Sequence, residues 1–125
     1  MSIDKRPVNL NLFTMKFPLP AIASLLHRIS GFILFFLIPI FLFLLQKSLS
    51  TSQGFSDVCA IFENPILKFI VWAFLAALIY HLFAGVRHLL MDMGIGETLA
   101  GGRRSALLVF ILAIIVIVLM GWWLW

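Results

Sequence analysis

Three long apolar runs dominate the pattern of hydrophobic and polar positions along the chain. They cover about residues 21–45, 66–90 and 105–125, and each is long enough to cross the roughly 30 Å apolar core of a bilayer as a helix. Between and before them lie a mixed arm at residues 1–20, a polar connector at 46–64 and a charged, glycine-rich loop at 92–104. The pattern predicts an all-α, integral membrane bundle of three transmembrane helices in one domain.

Composition agrees with this prediction. The 125 residues are 63% hydrophobic and 11% charged, with a mean hydropathy of +1.15, whereas about a quarter of the residues in a soluble domain are charged. A net charge of +4 raises the question of nucleic-acid binding. The Lys and Arg residues, however, flank the apolar runs and form no basic stripe interleaved with aromatic side chains. Membrane lipid is therefore the predicted surrounding, and no nucleic-acid partner is expected.

The positive charges also predict an orientation. Seven of the nine Lys and Arg residues fall in or beside the N-terminal arm and the second loop, and the positive-inside rule assigns both regions to the cytoplasmic face. The arm lacks the features of a signal peptide or presequence. A bacterial inner membrane with a cytoplasmic N-terminus is therefore favoured over the mitochondrial inner membrane.

Several kinds of chemistry are not encoded in this chain. Cys59 is the only cysteine, whereas an iron–sulfur cluster takes about four thiolates and a disulfide takes two. No phosphate-binding loop occurs, and Gly94 and Gly96 lack the third glycine and the preceding strand of a dinucleotide-binding motif. Any dehydrogenase chemistry must therefore lie on another chain.

Ionisable side chains inside the second apolar run are costly in lipid and indicate a function. His81, Gly85, His88 and Asp92 lie within about 60° of one another on one helix face. Counting back from the helix end places His81 near the bilayer midplane, where neutral imidazole suits axial ligation of haem iron. Gly85 leaves room for a flat group, and His88, with Arg87 beside it, is placed to meet haem propionates. The alternative is that His81 hydrogen-bonds a neighbouring helix.

The first apolar run repeats the pattern near its start. Ser24, His27, Arg28 and Gly31 share one helix face at the predicted cytoplasmic border. A hydroxyl, an imidazole and a guanidinium beside an apolar wall suit the carbonyl oxygens of a quinone. The alternatives are that Arg28 extends to lipid phosphates and that Ser24 bonds its own helix backbone.

Three segments together resemble the cytochrome b subunits that anchor succinate dehydrogenase to the membrane. They are residues 6–10 (RPVNL), residues 24–31 (SLLHRISG) and residues 81–92 (HLFAGVRHLLMD). The resemblance extends over nearly the whole chain in length, number of spans and orientation. It implies that this bundle is half of a two-chain anchor, paired with a second small three-helix subunit, and that one haem b lies between the two chains.

The resemblance also implies roles for individual residues. His81 corresponds to the axial ligand of the haem iron, opposite a histidine of the second anchor subunit. Ser24 and Arg28 correspond to residues of the ubiquinone site, and His27, Arg28 and His88 to the neighbourhood of the haem propionates. An iron–sulfur subunit would dock on the anchor and bring electrons from a flavoprotein that oxidises succinate. The implied function is succinate:quinone oxidoreduction in the respiratory chain and the tricarboxylic acid cycle.

Two other interpretations stay open at this point. One is the anchor of a fumarate reductase, in which the same chemistry runs in reverse. The other is a haem-free membrane scaffold or proton path, with His81 and His88 as relay groups. A self-contained cytochrome with two haems would need two pairs of histidines, and the chain has three histidines in all.

Overall fold

The chain folds into four helices in the computed structural model, which describes residue 11 and residues 14–125. They are α1 (Leu19–Ser50), α2 (Ser52–Ile61), α3 (Pro65–Asp92) and α4 (Leu99–Leu124). Helices α1, α3 and α4 are long and apolar enough to cross a membrane, which confirms the prediction of an all-α bundle with three membrane helices. The motif at residues 6–10 and most of the predicted arm lie outside the described residues.

Local sequence signals explain where these helices begin. Pro20 stands in the first turn of α1 and Pro65 opens α3, positions where the missing N–H of proline costs no helical hydrogen bond. The Asn64 side chain caps α3 by accepting hydrogen bonds from the backbone N–H groups of Ile66 and Leu67. Helix α1 continues through Pro39.

The predicted polar connector at residues 46–64 is mostly helical. Helix α1 runs on to Ser50, and the ten-residue α2 follows after Thr51. Thr51 caps α2, since its hydroxyl oxygen accepts a hydrogen bond from the Gly54 N–H at 2.9 Å. A β-carbon on Gly54 would collide with the backbone carbonyl of Lys47, so this glycine lets the two helices meet at a sharp corner.

The loop predicted at residues 92–104 is shorter than expected, because α4 begins at Leu99. Thr98 caps α4 through a hydrogen bond from the Gly101 N–H at 3.0 Å. The turn between α3 and α4 contains Gly94 at φ 81° and Gly96 at φ 79°, conformations that side chains with a β-carbon rarely adopt. The loop proper is therefore reduced to residues 93–98.

Helix α3 packs against both α1 and α4 through small side chains, which allow close approach of helices in a membrane. The buried alanines at these interfaces are at most 2% exposed: Ala23, Ala84, Ala106 and Ala113. Two polar contacts add specificity: the Tyr80 hydroxyl donates to the Ala23 carbonyl at 2.8 Å, and Trp72 Nε1 donates to the Ile117 carbonyl at 3.1 Å.

The outer faces of the bundle are apolar and exposed. Phe32, Phe35 and Phe43 of α1 are 64–74% exposed, and Trp122 and Trp123 at the end of α4 are about 80% exposed. Such surfaces are solvated by lipid or covered by another membrane chain, because exposing them to water would be unfavourable. The site described next is therefore framed by helices that are themselves embedded in an apolar environment.

The corner between α1 and α2 carries an ion pair that predicts a pH dependence. Lys47 Nζ lies 2.8 Å from Asp57 Oδ2, and Gln53 Nε2 donates to Asp57 Oδ1 at 2.9 Å. The hydrogen bond from Lys47, and then that from Gln53, holds the pKa of Asp57 below its usual value of 3.8. Because the folded-state pKa is lowered, the pair contributes stability above pH 3.8, and this contribution is lost as the pH falls through the lowered pKa.

We expect carboxyl-carbon NMR of the detergent-solubilised protein to give Asp57 a titration midpoint below 3.8. Lys47→Met should move that midpoint upward, since it removes the larger of the two hydrogen bonds and the opposite charge. Lys68→Met is the control, because Lys68 lies over the Trp125 ring instead. An Asp57 midpoint unaffected by Lys47→Met would contradict the ion pair.

Candidate functional site

The three histidines of the chain form one cluster between α1 and α3. The ring of His27, from α1, stacks on that of His81 with centroids 4.1 Å apart and planes 17° apart. The same ring meets that of His88 in a tilted contact at 5.0 Å. Residues 81 and 88 stand about 10 Å apart along α3, so His27 spans the gap between them.

Hydrogen bonds to His81 select one tautomer of its imidazole. Nδ1 lies 3.2 Å from the carbonyl oxygen of His27, which can only accept. It also lies 3.0 Å from the hydroxyl of Ser30, whose own proton is donated to the same carbonyl at 2.8 Å. Both neighbours thus act as acceptors, and the ring proton belongs on Nδ1. Nε2 then carries the lone pair that a metal ligand needs, and it has no hydrogen-bond partner in the described part of the chain.

His27 contains an unusual polar atom. Within the described residues, its Nε2 is the one buried side-chain nitrogen or oxygen without a hydrogen-bond partner. A β-carbon on Gly85 of α3 would lie 3.5 Å from this nitrogen, so the space beside Gly85 is occupied by the His27 ring. An unsatisfied buried polar group costs about 1–3 kcal/mol, so His27 Nε2 is suited to a further hydrogen-bonding partner.

Gly31 allows His81 to lie against the backbone of α1. A β-carbon at this position would stand 3.5 Å from Nδ1 of His81, an ordinary contact, but only 2.9 Å from its Cε1, closer than carbon atoms pack without displacement. The imidazole is therefore held between the α1 backbone on one side and the His27 ring on the other.

Ser24 and Arg28 lie on α1, on either side of His27, at the same end of the bundle. Ser24 is half-buried and Arg28 is exposed. Neither side chain makes a hydrogen bond or ion pair with the part of the chain that the structure describes. Ser48 and Ser50 of the same helix, in contrast, donate to carbonyls one turn earlier. The described contacts thus leave the Ser24 hydroxyl and the Arg28 guanidinium available to a ligand.

Arg87 hydrogen-bonds to α4, although its neighbour in sequence, His88, belongs to the histidine cluster. Its side chain is 5% exposed and turns to α4, where Nε donates to the Ser105 hydroxyl at 3.0 Å and Nη2 to the Gly102 carbonyl at 3.4 Å. Position 87 lies about 100° around the helix from position 88, so consecutive residues serve different interfaces.

We expect Arg87→Met to destabilise the α3–α4 contact by about 1.5–3 kcal/mol, the usual contribution of hydrogen bonds from a charged donor. Methionine keeps the apolar length of the side chain and removes the donors. Denaturation of the solubilised protein with sodium dodecyl sulfate, followed by circular dichroism, measures the change. Arg104→Met, at an exposed position of α4, should leave stability within about 0.5 kcal/mol, and an equal loss in both variants would contradict the role of Arg87.

Sequence reasoning missed two residues that shape this site. Ser30 is buried beside His81, and Tyr80 ties α3 to the Ala23 carbonyl just before Ser24. Ser30 lies three residues after His27, a spacing that brings side chains into contact on a helix, so its position was a usable signal. The Tyr80 contact joins residues 57 apart and left no such local signal.

Comparison with known proteins identifies the family of the chain. Residues 2–120 match the succinate dehydrogenase/fumarate reductase transmembrane subunit family. The chain is 45% identical to a succinate dehydrogenase cytochrome b556 subunit of Coxiella burnetii, with 97% of this chain and 98% of that protein covered. It is 30% identical to the subunit of the same name from Paracoccus denitrificans, covering 81% and 78%. It is also 32% identical to the cytochrome b560 subunit of Chondrus crispus, covering 74% and 75%. The chain therefore belongs to the family of succinate dehydrogenase and fumarate reductase transmembrane subunits, as a cytochrome b subunit of succinate dehydrogenase.

Proposed function

We propose that this chain binds haem b and ubiquinone in the membrane anchor of a succinate:quinone oxidoreductase, and so helps to pass electrons from succinate oxidation into the respiratory chain. An iron–sulfur subunit would deliver electrons that a flavoprotein takes from succinate in the tricarboxylic acid cycle. A second small anchor subunit would complete the haem site. The family membership and the names of the relatives support this assignment, as does the lack of cysteine ligands for a cluster within the chain.

The observation that carries the proposal is the hydrogen bonding of His81, which selects one tautomer of its imidazole. Its Nδ1 faces the His27 carbonyl and the Ser30 hydroxyl, so the lone pair lies on Nε2. Histidines that ligate metals typically donate their other N–H to an oxygen in this way. A haem bound here would supply a one-electron redox centre, and His81 would hold its iron. His27 would not hold the same iron as His81, since the two rings are stacked on each other.

The rest of the histidine cluster fits the acidic edge of a haem. His27 Nε2 is buried without a partner, His88 contacts the His27 ring, and Arg28 follows His27 on α1 with no carboxylate paired to it in the described residues. Imidazole N–H groups and a guanidinium donate hydrogen bonds to carboxylates. We therefore assign His27, Arg28 and His88 to the propionate side of the site.

Ser24 and Arg28 are the residues of this chain that we assign to quinone. Ser24 differs from the other serines of α1 in having no backbone carbonyl as its acceptor, so its hydroxyl can donate to a quinone carbonyl. The guanidinium of Arg28 stays charged and favours the anionic form of the reduced ring before it is protonated. Both side chains lie toward the start of α1, near the expected docking side of the iron–sulfur subunit.

The proposed location is a bacterial inner membrane, with the N-terminus in the cytoplasm. The clustering of Lys and Arg around the arm and the α3–α4 loop supports this orientation, and the bacterial relatives support the compartment. The histidine cluster and Arg28 lie toward the positively charged end of the bundle. Electrons arriving from a cytoplasmic partner would then have a short path to quinone.

The test uses the complex purified after coexpression of this chain with its partner subunits. We expect a b-type absorption band in the dithionite-reduced minus oxidised spectrum, haem equimolar with this chain, and reduction of a soluble ubiquinone analogue by succinate. A complex that contains this chain and reduces quinone without haem would refute haem binding and favour the scaffold interpretation. A haem-containing complex that reduces fumarate with quinol much faster than it oxidises succinate would favour the fumarate reductase alternative.

A further inference from the structure

We propose that Ser30 is a positioning residue for His81, which holds the imidazole in the Nδ1-protonated form and tunes the electron donation of Nε2 to haem iron. The inference rests on the proposed ligation of haem by His81 and extends it to a residue on a different helix. It starts from the burial of Ser30, which is 7% exposed and belongs to the small set of buried polar side chains in the described residues.

The direction of the hydrogen bonds follows from counting protons. A serine hydroxyl has one proton, and that of Ser30 is donated to the His27 carbonyl at 2.8 Å. Toward Nδ1 of His81, at 3.0 Å, the hydroxyl oxygen can then only accept. If the hydroxyl turned its proton to Nδ1 instead, the lone pair of Nδ1 would face the lone pairs of the His27 carbonyl at 3.2 Å. The first arrangement satisfies every group, and the second leaves two acceptors in contact.

The backbone of α1 restricts the same ring. The ring of His81 lies so close to Gly31, the residue after Ser30, that a β-carbon there would be 2.9 Å from Cε1 of His81. Ser30 therefore contacts the edge of the ring at Nδ1, Gly31 contacts its carbon edge, and His27 covers its face. Rotation of the imidazole about the Cβ–Cγ bond of His81 would break the hydrogen bonds of Nδ1. These contacts therefore fix the direction in which Nε2 points.

A hydrogen bond accepted from Nδ1–H increases the basicity of the imidazole and its electron donation to iron, which stabilises the oxidised metal. The hydroxyl at 3.0 Å is the nearer of the two acceptors, and the carbonyl at 3.2 Å is the other. Removing the hydroxyl should weaken this donation without removing the ligand. The expected consequence is a haem that is still bound and has a higher reduction potential.

The experiment compares two isosteric variants, Ser30→Thr and Ser30→Val, in the purified holo-complex. Threonine keeps a hydroxyl that can bond the carbonyl one turn back, whereas valine has the same shape without it. We expect redox titration of the haem to give a potential close to wild type for Ser30→Thr and a clear upward shift for Ser30→Val. Ser30→Ala removes the hydroxyl without adding a methyl group to the buried position. It should shift the potential in the same direction as Ser30→Val.

Two controls distinguish failure of the proposed role of Ser30 from failure of the proposed haem ligation by His81. Ser48→Ala removes a hydroxyl with the same one-turn bond in the same helix but no histidine nearby, and it should leave the potential unchanged. His81→Leu in the same complex tests the ligand itself. Equal potentials for Ser30→Thr and Ser30→Val, with haem lost in His81→Leu, would overturn the role of Ser30 alone. Haem retained with an unchanged spectrum in His81→Leu would overturn the proposed ligation, and the role of Ser30 with it.

Discussion

His81→Leu is expected to abolish the b-type haem spectrum of the assembled complex. Leucine is close to histidine in size and suits an apolar helix, so α3 should still pack against α1 and α4. What disappears is the Nε2 lone pair, and the other two histidines of the cluster, His27 and His88, are assigned to the propionate side. Loss of a residue that merely supports a metal ligand already costs about 10–100-fold in affinity, so loss of the ligand should exceed that range.

The measurement is the dithionite-reduced minus oxidised spectrum, normalised to the amount of this chain by immunoblot. His88→Leu serves as the comparison within the same helix, since His88 contacts the His27 ring at 5.0 Å and is assigned to the propionate side. It should weaken haem retention and leave the b-type band in place. A full band in His81→Leu would transfer the ligand to another residue.

Arg28→Leu is expected to lower the kcat/KM for quinone reduction by about 100-fold in the fraction of the complex that contains haem. A hydrogen-bonding group directed at developing negative charge typically contributes this much to catalysis. The side chain is exposed on α1 and has no carboxylate partner in the described residues, so its removal should not disturb the packing of the bundle. Arg28→Lys keeps the charge, loses the planar array of donors, and should recover part of the activity.

Succinate-driven reduction of a soluble ubiquinone analogue measures this effect, with haem content recorded on the same samples. Ser24→Ala should produce a smaller loss of about 5–10-fold, as expected for a single neutral hydrogen bond. Arg104→Leu makes the same chemical change at an exposed position of α4 and should have little effect. Wild-type kinetics in both Arg28→Leu and Ser24→Ala would remove these residues from the quinone site.

The three membrane helices were predictable because hydropathy summed over some twenty residues is a strong local signal. The short α2 and the early start of α4 were not, although each has a threonine cap. Polar residues in 46–64 and glycines in 92–104 are typical of loops. In the folded chain, the contact of Gly54 with the α1 backbone stabilises α2 as a helix at that corner. At this corner, packing between helices outweighed weak local preference.

The faces of the site were equally visible in the sequence. His81 and His88 share one face of α3, and Ser24, Arg28 and Gly31 line one side of α1, because the period of a helix places residues three, four and seven apart together. This periodicity identified the residues that carry the proposed chemistry. It carried no information on which neighbour each face would meet, and Arg87, one position before His88, turned out to bond α4.

The sequence by itself determined that this chain is a three-span membrane protein with histidine and arginine side chains on two helix faces, since both features depend on residues close together along the chain. Only the tertiary structure decided that His27 stacks on His81, that Ser30 and the His27 carbonyl accept from Nδ1, and that Gly31 admits the ring. These contacts join residues about fifty positions apart. They arise from the way α1 packs on α3, which no local pattern specifies.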